Sequence, residues 1–527
     1  MKKVLFFLAF LAGQNTFSQI TPWWISYYGN DPGLQYVVND MTADKAGNVY
    51  VYGYTADTTY ADTGIIIKYN SQGIMQWINK YPNLWNTGKI AVDKESNVYV
   101  MSRINLGTAY DYLVLKYNSN GNLLWNATYN GAANMYDMPT AIVLDDSLNV
   151  YVTGTSNVHL AFSDDYATLK YDSSGALQWI ATYGNTNAQD DRAYAIAVDL
   201  YHNVYVTGFA FDSGTAVTLK YDISGREVWR RRYHGTASAS GNLIKVNQDG
   251  FIYVGGFEAA SIPFHSDFMA IKYDSLGNLL WASTYNPVDS APVPGNEPFC
   301  MNLDNDGNVF LSGTQYGGAG RLDDFATIKF DKDGIRQWVQ TYNNSIGWDD
   351  PVGMVMDHSG NIYVEGNSDD SLFGKITTTI KYGNNGAQTW LTHYHDSIRA
   401  YYFSSNIAID SVDNIYVAGN CKRGQQQQFF TLKYGSNIGI EENSFSKDFI
   451  LFPNPFHSSA TLSGSILSKN ILHLEIYNTL GALIREEKID RSNHYILHRD
   501  GLSDGLYFYE LRTNDYQLLG SGKFIID

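Results

Sequence analysis

The 527-residue sequence predicts an all-β fold: an eight-bladed β-propeller closed by its N-terminal strand and followed by a smaller β-domain. Three observations lead to this prediction. A unit of about 50 residues recurs eight times, which is close to the period of four-stranded propeller blades. The 41 tyrosines, 25 phenylalanines and 47 glycines favour strands joined by tight turns. No segment keeps a helical period of apolar residues.

Two short motifs mark the repeating unit. The tetrapeptide Asn-Val-Tyr-Val or a close variant starts at Asn48, Asn97, Asn149, Asn203, Phe251, Asn308, Asn361 and Asn414. An aliphatic-Lys-aromatic step follows each copy, with its lysine at Lys68, Lys116, Lys170, Lys220, Lys272, Lys329, Lys381 and Lys433. Because a catalytic group is not needed eight times in a ring, we expect a structural lysine, paired with a carboxylate or lying over an aromatic ring.

The tryptophan positions indicate how the ring closes. A Trp-x-x-x-Tyr step ends each of the first seven units, whereas the eighth unit stops at Gly435 without one. The missing strand stands at the other end of the chain, at Trp24–Tyr28. We therefore expect the N-terminal strand to complete the last blade, which removes an exposed sheet edge.

Several units contain the pattern Asp-x-x-Gly-x-x-x-Trp, as at Asp172, Gly175 and Trp179. This pattern resembles the tryptophan-docking motif of eight-bladed quinoproteins, and the resemblance implies that each indole wedges between adjacent blades. The blade-packing residues are then Trp24, Trp77, Trp125, Trp179, Trp229, Trp281, Trp338 and Trp390. The sequence lacks the adjacent cysteine pair of the quinone-binding enzymes, so no quinone is expected.

Residues 19–435 resemble a second family through units such as Ala195–Asp199 followed by Asn203–Gly208. These units are similar to the bacterial SBBP-type β-propeller repeat. The resemblance implies the fold, and for function it implies a binding module.

The start of the chain indicates export. Residues 1–18 have the basic start, the apolar run Val4–Ala12 and the small residues that are typical of a signal peptide. No later run of about 20 apolar residues predicts a membrane span. The net charge of −17 disfavours nucleic acid as a partner. Cys300 and Cys421 are too few for a disulfide framework.

The chain changes character after the last repeat. Residues 436–447 are typical of an exposed polar linker, and residues 448–527 contain separate motifs such as Phe452–Phe456 and Gly501–Tyr509. Their order and spacing resemble the type A C-terminal sorting domain of type IX secretion in Bacteroidota. The resemblance implies an Ig-like β-sandwich that the type IX secretion machinery recognises, and export through the periplasm to the outer-membrane surface or the extracellular space. An adhesive or carbohydrate-binding sandwich is the alternative.

Paired aspartates raise the question of a bound cation. Ca²⁺ takes six to eight oxygen ligands, and the candidate ligands are Asp164, Asp165, Asp323 and Asp324. Turn capping is the alternative, since such pairs are expected just before the first or third strand of a blade. No nucleophile elbow, phosphate loop or metal-ligand spacing of histidines is found, so no catalytic residue and no other cofactor is predicted.

Ligand binding is expected on one face of the ring. The turns that join the first to the second and the third to the fourth strand are short and alike, and they form the short-turn face. The long, dissimilar connections form the opposite, long-loop face, where binding usually resides. Its exposed aromatic and acidic residues suit a sugar or a polypeptide. The candidates are Tyr60, Trp85, Tyr136, Asp190, Asp191, Phe211, Tyr316, Trp348, Asp349, Asp350 and Tyr401.

Two functions stay open at this point. The first is a monomeric propeller at the cell surface or secreted, which binds a glycan or a protein. The second is a secreted polysaccharide-acting enzyme, a lyase or hydrolase, with its site in the channel mouth. Carboxylates that converge in a pocket with a perturbed pKa would favour the enzyme, whereas a shallow and inert aromatic face would favour binding.

Overall fold

The computed structural model describes residues 21–526 with gaps, and these residues form strands and turns without a helix. The residues left out are 1–20, 30, 32, 57–61, 106, 108, 158–162, 185–188, 260–265, 287–295, 318–321, 345–346, 372, 396–399, 425, 436–449, 453, 455, 464–471, 479–482, 491–493, 514–517 and 527. The signal peptide (1–18) and linker (436–447) predictions therefore lie outside the described residues. Within the described part, no helix is long and apolar enough to cross a membrane.

The chain divides into two compact units, Met1–Ser436 and Asn437–Asp527. Eight four-stranded antiparallel sheets make up the described part of the first unit, and β1 (Trp24–Tyr28) belongs to the eighth of them. Sheets one to four are β2 (Gln35–Ala43), β3 (Val49–Ala56), β4 (Thr63–Tyr69), β5 (Met75–Pro82); β6 (Leu84–Val92), β7 (Val98–Asn105), β8 (Tyr110–Tyr117), β9 (Leu123–Tyr129); β10 (Asp137–Leu144), β11 (Val150–Ser156), β12 (Asp165–Tyr171), β13 (Leu177–Tyr183); and β14 (Asp191–Val198), β15 (Val204–Ala210), β16 (Thr215–Tyr221), β17 (Glu227–Tyr233). Sheets five to eight are β18 (Ser238–Val246), β19 (Ile252–Ala259), β20 (Ser266–Tyr273), β21 (Leu279–Tyr285); β22 (Glu297–Leu303), β23 (Val309–Tyr316), β24 (Asp323–Phe330), β25 (Arg336–Tyr342); β26 (Asp349–Met356), β27 (Ile362–Asp370), β28 (Gly374–Tyr382), β29 (Gln388–Tyr394); and β30 (Ala400–Ile409), β31 (Ile415–Arg423), β32 (Gln426–Tyr434) with β1.

Each sheet packs against the next one along the chain, and the eighth packs against the first. Asp40 on β2 illustrates both contacts. Its Oδ2 accepts a hydrogen bond from the backbone N of Ile90 in the second sheet at 3.0 Å, and its Oδ1 accepts one from Asn406 in the eighth. Apolar side chains fill the space between neighbouring sheets, as Tyr52 and Leu113 do between the first and second. This arrangement is consistent with a β-propeller.

Strand β1 pairs antiparallel with β32, so that the two ends of the first unit meet in one sheet. Trp24 stands opposite Lys433 and Tyr28 opposite Phe429. Trp24 Nε1 also donates to the carbonyl of Ser71, in the turn between β4 and β5, at 3.0 Å. This is the pairing that the tryptophan positions predict.

The indoles of the fourth strands connect neighbouring sheets. Seven of them donate at 2.9–3.2 Å to a carbonyl in the next sheet's turn between third and fourth strands, namely those of Trp24, Trp77, Trp125, Trp179, Trp229, Trp281 and Trp338. These turns need glycine, since Gly175 has a φ of 88° and a Cβ there would lie 2.6 Å from the Trp125 ring. Trp390 Nε1 finds no acceptor among the described residues, because no turn joins β32 to β1 in the eighth sheet.

The Asn and Tyr of the repeated tetrapeptide are explained by the turn that precedes them. Asp145 Oδ1 accepts from the backbone N of Ser147 and Asn149, and its Oδ2 accepts from the Asn149 amide and the Tyr151 hydroxyl at 2.7 and 2.9 Å. Burial raises the pKa of Asp145, but these donors outweigh burial and lower it below its ordinary value. The same network recurs around Asp44, Asp93, Asp199, Asp357 and Asp410.

The repeated lysine has a structural role. In each of the eight sheets its Nζ lies 4.8–5.3 Å from the centroid of an aromatic ring on the second strand. Lys116 Nζ also donates to the carbonyl of Ser173 in the next sheet at 3.1 Å, and Lys381 pairs with Asp357 at 3.3 Å. Both contacts expected from the sequence therefore occur.

Glu365 on β27 gives a prediction about pH. Its carboxyl group is fully buried, accepts a hydrogen bond from Thr379 and faces Ser404 of the eighth sheet. Burial raises its pKa from 4.5 to about 8. Because the folded state holds this proton more tightly than the unfolded chain, the stabilisation is complete below about pH 4.5 and is lost as the pH rises through about 8.

Glu365→Gln is therefore expected to remove a fall of about 3–5 kcal/mol in the free energy of unfolding between pH 5 and pH 9. Urea unfolding at pH 5, 7 and 9 measures the effect. The exposed Glu95, changed to Gln, is the matched control and should keep the wild-type slope. A wild-type slope in Glu365→Gln would contradict this assignment.

The second unit contains two sheets and its own apolar core. The strands are β33 (Ile450–Phe452), β34 (Ser459–Ser463), β35 (Leu472–Tyr477), β36 (Leu483–Ile489), β37 (His494–His498), β38 (Gly505–Thr513) and β39 (Leu518–Ile526). One sheet has the order β33-β34-β37 and the other β36-β35-β38-β39. Leu462, Leu474, Leu511 and Phe524 are buried at the centre of this core.

Candidate ligand-binding site

A cavity of about 480 Å³ opens among the inner strands of the first four sheets. Three cationic side chains contribute to its wall, and it is therefore named the cationic cavity. Its lining residues are Asn39, Thr87, Gly88, Lys89, Met101, Arg103, Met138, Pro139, Thr140, Thr155, Arg192 and Tyr194. Met138 and Arg192 follow the first residues of β10 and β14, and Thr155 precedes the last residue of β11. These strand ends carry the long connections, so the cavity belongs to the long-loop half of the ring.

Arg192 is held in place by two carboxylates and a ring. Its Nη2 lies 3.0 Å from Asp190 Oδ2, and its Nε lies 3.4 Å from Asp164 Oδ2. The guanidinium carbon stands 5.4 Å from the centroid of Phe211. Burial and the charge of Asp190 raise the pKa of Asp164, while Arg192 lowers it. These contacts fix the guanidinium at the cavity wall.

Arg103 and Lys89 supply the other two cations of the cavity. Arg103 Nε donates to the hydroxyl of Thr87 at 3.0 Å, and its guanidinium carbon lies 5.8 Å from the centroid of Tyr110. Burial lowers the pKa of Arg103, which indicates that its charge is partly withdrawn from water. The Lys89 side chain is 48% exposed, and its Nζ is 4.0 Å from Asp40 Oδ1.

Tyr194 stands between a cation and a carboxylate. Burial raises the pKa of its hydroxyl, Arg192 lowers it and Glu297 raises it. Glu297 itself is half-buried and accepts a hydrogen bond from the Asn242 amide at 2.8 Å. Burial raises the pKa of Glu297 as well. Tyr194 thus lines the cavity with a hydroxyl group that stays protonated at neutral pH.

Two of the predicted aromatic residues lie beside the cations of this cavity, Tyr136 through Tyr110 and Phe211 directly. Four of the seven are 46–56% exposed, namely Tyr136, Phe211, Trp348 and Tyr401, and Tyr316 is half-buried. Tyr60 and the side chain of Trp85 lie outside the described residues, although the backbone of Trp85 is part of β6. Tyr136 stacks on Tyr110 at 5.7 Å, which in turn lies beside Arg103, and Phe211 contacts Arg192.

The predicted carboxylates differ in their exposure. Asp190 and Asp350 are half-buried and can reach a ligand. Asp191 and Asp349 are fully buried, which removes them from the accessible surface and corrects the expectation that they contact a ligand. Burial raises the pKa of Asp349 to about 6.

A second group of carboxylates gathers at the sixth and seventh sheets. Burial raises the pKa of Asp323 to about 6, and the charges of Asp350 and Asp324 add to this shift. Lys375 Nζ lies 4.0 Å from Asp350 and donates to the carbonyl of Trp348 at 3.2 Å. The raised pKa of Asp323 is of the kind expected in an enzyme site. However, none of Asp323, Asp324 and Asp350 lines the cationic cavity.

Three of the four predicted calcium ligands are paired with other side chains of the protein or buried, and Asp323 is half-buried. Asp164 accepts from Asn157 at 2.6 Å and pairs with Arg192, and Asp165 and Asp324 are buried. In the described part of the chain, the group of three potential metal ligands with close ligand atoms is elsewhere, at Asp145, Asp146 and His202. Asp145 is there the acceptor of its own turn, and His202 Nδ1 lies 3.0 Å from it. Turn capping is shown for Asp145, and a Ca²⁺ site at the four predicted aspartates stays a prediction.

Another cavity, of about 510 Å³, lies at the short-turn end among sheets five to eight. Its wall includes Asp304, Asp357 and His358. Both aspartates cap their own turns, through Asn308 and Asn361 at 2.7 and 2.8 Å, so their carboxyl groups are already engaged with the protein. The cationic cavity is the better candidate for a ligand.

Sequence reasoning missed the residues that give the cationic cavity its character. Lys89 and Arg103 come from the second sheet and Arg192 and Tyr194 from the fourth, and no local motif joins the two pairs. A local signal existed only for Arg192, which directly follows the predicted pair Asp190 and Asp191.

One comparison with known proteins concerns the second unit. Residues 450–527 match the family model of the secretion system C-terminal sorting domain. This match indicates export to the cell surface or the extracellular space through the outer membrane, and it implies interaction with the type IX secretion machinery. No model of an SBBP repeat matches, so that resemblance stays a prediction. No curated protein matches the chain.

Several solved structures are similar to the chain at low identity. An ulvan lyase of polysaccharide lyase family PL25, solved with -[GlcA(1-4)Rha3S]-, shares 12% identity over 77% of this chain and 95% of its own, with a TM-score of 0.40. A protein of unknown function from Dyadobacter fermentans shares 9% over 79% and 99%, with a TM-score of 0.39. The β-propeller domain of the Trilobed protease from Pyrococcus furiosus shares 8% over 77% and 98%, also at 0.39.

Proposed function

We propose that this protein is an exported binding module, in which a propeller binds a glycan or protein ligand on its long-loop face. In this proposal residues 1–18 are a signal peptide, residues 19–435 are an eight-bladed propeller and residues 436–447 are a linker. Residues 448–527 form an Ig-like sorting domain that directs type IX secretion. The protein acts as a monomer at the cell surface or after release.

The architecture in this proposal is supported by the order of the sheets. Eight four-stranded sheets follow one another in the described part of the first unit, and the eighth takes its fourth strand from the N-terminus. Asp40 bonds to both neighbours of the first sheet, which is the contact that a closed ring requires. Closure leaves only the short outer edges of the blades unpaired.

The cationic cavity is the observation on which the binding function rests. Its volume of about 480 Å³ falls in the range of small-molecule sites. Apolar Met101, Met138 and Pro139 line it together with the hydroxyls of Thr140 and Tyr194, and this mixture is typical of ligand pockets. Rigid strands hold these side chains, so little order has to be gained on binding.

A binding screen tests the proposal. The full mature chain is offered glycans and surface proteins, with and without Ca²⁺, and every binder is mapped to one of the two faces. We expect a ligand on the long-loop face whose affinity does not depend on Ca²⁺. A ligand that occupies the short-turn face would contradict the proposal.

Two substitutions on the long-loop face should weaken binding of any partner found. Tyr194→Ala removes part of the wall of the cationic cavity, and Trp348→Ala removes an exposed ring of the long-loop face that does not line this cavity. Each should cost about 1–3 kcal/mol if it is a hot spot, measured by titration calorimetry. Tyr201→Ala is the matched control, because Tyr201 is 79% exposed in a short turn. Equal losses in the control and in Tyr194→Ala would argue against the face assignment, and thermal unfolding verifies that each variant is folded.

A second candidate function is favoured by the shifted carboxyl group of Asp323. A pKa of about 6 beside Asp350 would suit a general acid of a secreted polysaccharide lyase or hydrolase. The same screen separates the two functions, because an enzyme shortens the bound glycan while a binding module returns it unchanged.

A further inference from the structure

The charge of the cationic cavity differs from that of the rest of the chain. The protein carries a net charge of −17, yet Lys89, Arg103 and Arg192 line one cavity whose twelve described lining residues include no carboxylate. Asp40 lies 4.0 Å from Lys89, and Asp164 and Asp190 pair with Arg192, but none of these three aspartates lines the cavity. The charged side chains that line the cavity are therefore all positive, which favours an anionic ligand.

The cations differ in how well they are placed for an incoming anion. The Lys89 side chain is 48% exposed, and its separation of 4.0 Å from Asp40 is long for an ion pair. Arg103 is oriented by the Thr87 hydroxyl and the ring of Tyr110. Since a guanidinium presents a planar fork of donors, it suits the two oxygens of a carboxylate or a sulfate.

The remaining lining groups match a sugar ring. Thr140, Thr155, Tyr194 and Asn39 place hydroxyl and amide groups around the space, and Met101 and Met138 supply apolar surface. A pyranose ring has hydroxyls at its edge and C–H groups on its faces. The polar lining groups can therefore bind the hydroxyls, and the methionine side chains can pack against the C–H groups.

We propose that the cationic cavity binds an anionic oligosaccharide, with a carboxylate or sulfate group at Lys89 and Arg103. This inference rests on the proposed function and names the ligand class of that site. Arg192 contributes to the positive field, while its pairing with Asp164 and Asp190 keeps it in position.

Titration of the full mature chain with three probes tests the inference. The probes are a galacturonate tetrasaccharide as carboxylate, a sulfated galactan tetrasaccharide as sulfate, and maltotetraose as the neutral control. We expect at least one anionic probe to bind about tenfold more tightly than maltotetraose, with an affinity that falls as salt rises. Comparison of the first two probes identifies the charged group.

Substitutions of the lining cations test where in the cavity the anionic group binds. Lys89→Gln and Arg103→Lys should each weaken the anionic probe about five- to twentyfold and leave maltotetraose unchanged. Lys94→Gln is the matched control, since Lys94 is exposed in a short turn and donates to the carbonyl of Asp146. Unfolding curves of all variants verify the fold. If Arg103→Lys is unstable, the affinity of Lys89→Gln alone decides whether the anionic group binds at these cations.

The two proposals fail in different ways. Equal binding of neutral and anionic probes, no binding of either anionic probe at millimolar concentration, or unchanged affinity in Lys89→Gln overturns the anionic ligand. A neutral glycan or a protein bound on the long-loop face would then still support the proposed function. A ligand on the short-turn face overturns both.

Discussion

Removal of the N-terminal strand is expected to lower the free energy of unfolding of the first unit by about 4 kcal/mol or more. The chain would begin after Tyr28 and would lose the five-residue pairing with β32. It would also lose Trp24, whose ring lies against Tyr69 and Tyr416 and whose indole donates to Ser71. Because Tyr69 belongs to the first sheet and Tyr416 to the eighth, the junction that closes the ring would be opened.

Urea unfolding followed by tryptophan fluorescence measures this effect. A chain that begins at Trp23 keeps β1 and is the matched control. If both chains unfold at the same urea concentration, the N-terminal strand does not contribute to the eighth sheet in solution, and the closed ring would have to be abandoned.

Removal of residues 450–527 is expected to abolish appearance of the protein at the cell surface. These residues match the sorting domain and form a unit with its own core, which includes Leu474 and Phe524. Without them the first unit should accumulate in the periplasm in folded form, since its sheets take no strand from the second unit. Cell fractionation and surface protease treatment measure the distribution.

Transfer of residues 436–527 to an unrelated periplasmic protein is the converse experiment, and it should bring that protein to the surface. The assignment fails if the truncated chain still reaches the surface, or if the first unit does not fold without its tail.

The architecture could be predicted because the residues that form its turns and sheet contacts recur in each unit at short, similar spacings. In six of the eight units the Asn and Tyr of the tetrapeptide donate hydrogen bonds to an aspartate only a few residues away, as Asn149 and Tyr151 do to Asp145. The Trp-Gly contact between sheets, as between Trp125 and Gly175, recurs with the same spacing and could be inferred from it. Such short-range requirements leave a signal in a single sequence.

The ligand site was less predictable because it depends on which side chains different sheets bring together. Arg192 is far in sequence from Lys89 and Arg103, and it meets them only because the second and fourth sheets line one cavity. Exposed aspartates could not be told from buried ones either, and Asp191 is fully buried although Asp190 is not.

The central claim is that a ligand occupies the cationic cavity at the long-loop end of the ring. The most direct test is a crystal structure of the full mature chain with the tightest binder from the screen. The account predicts ligand density in contact with Lys89, Arg103 and Tyr194, with the short turns unoccupied. Density against a short turn such as that around Asp93, with the cavity empty, would contradict it.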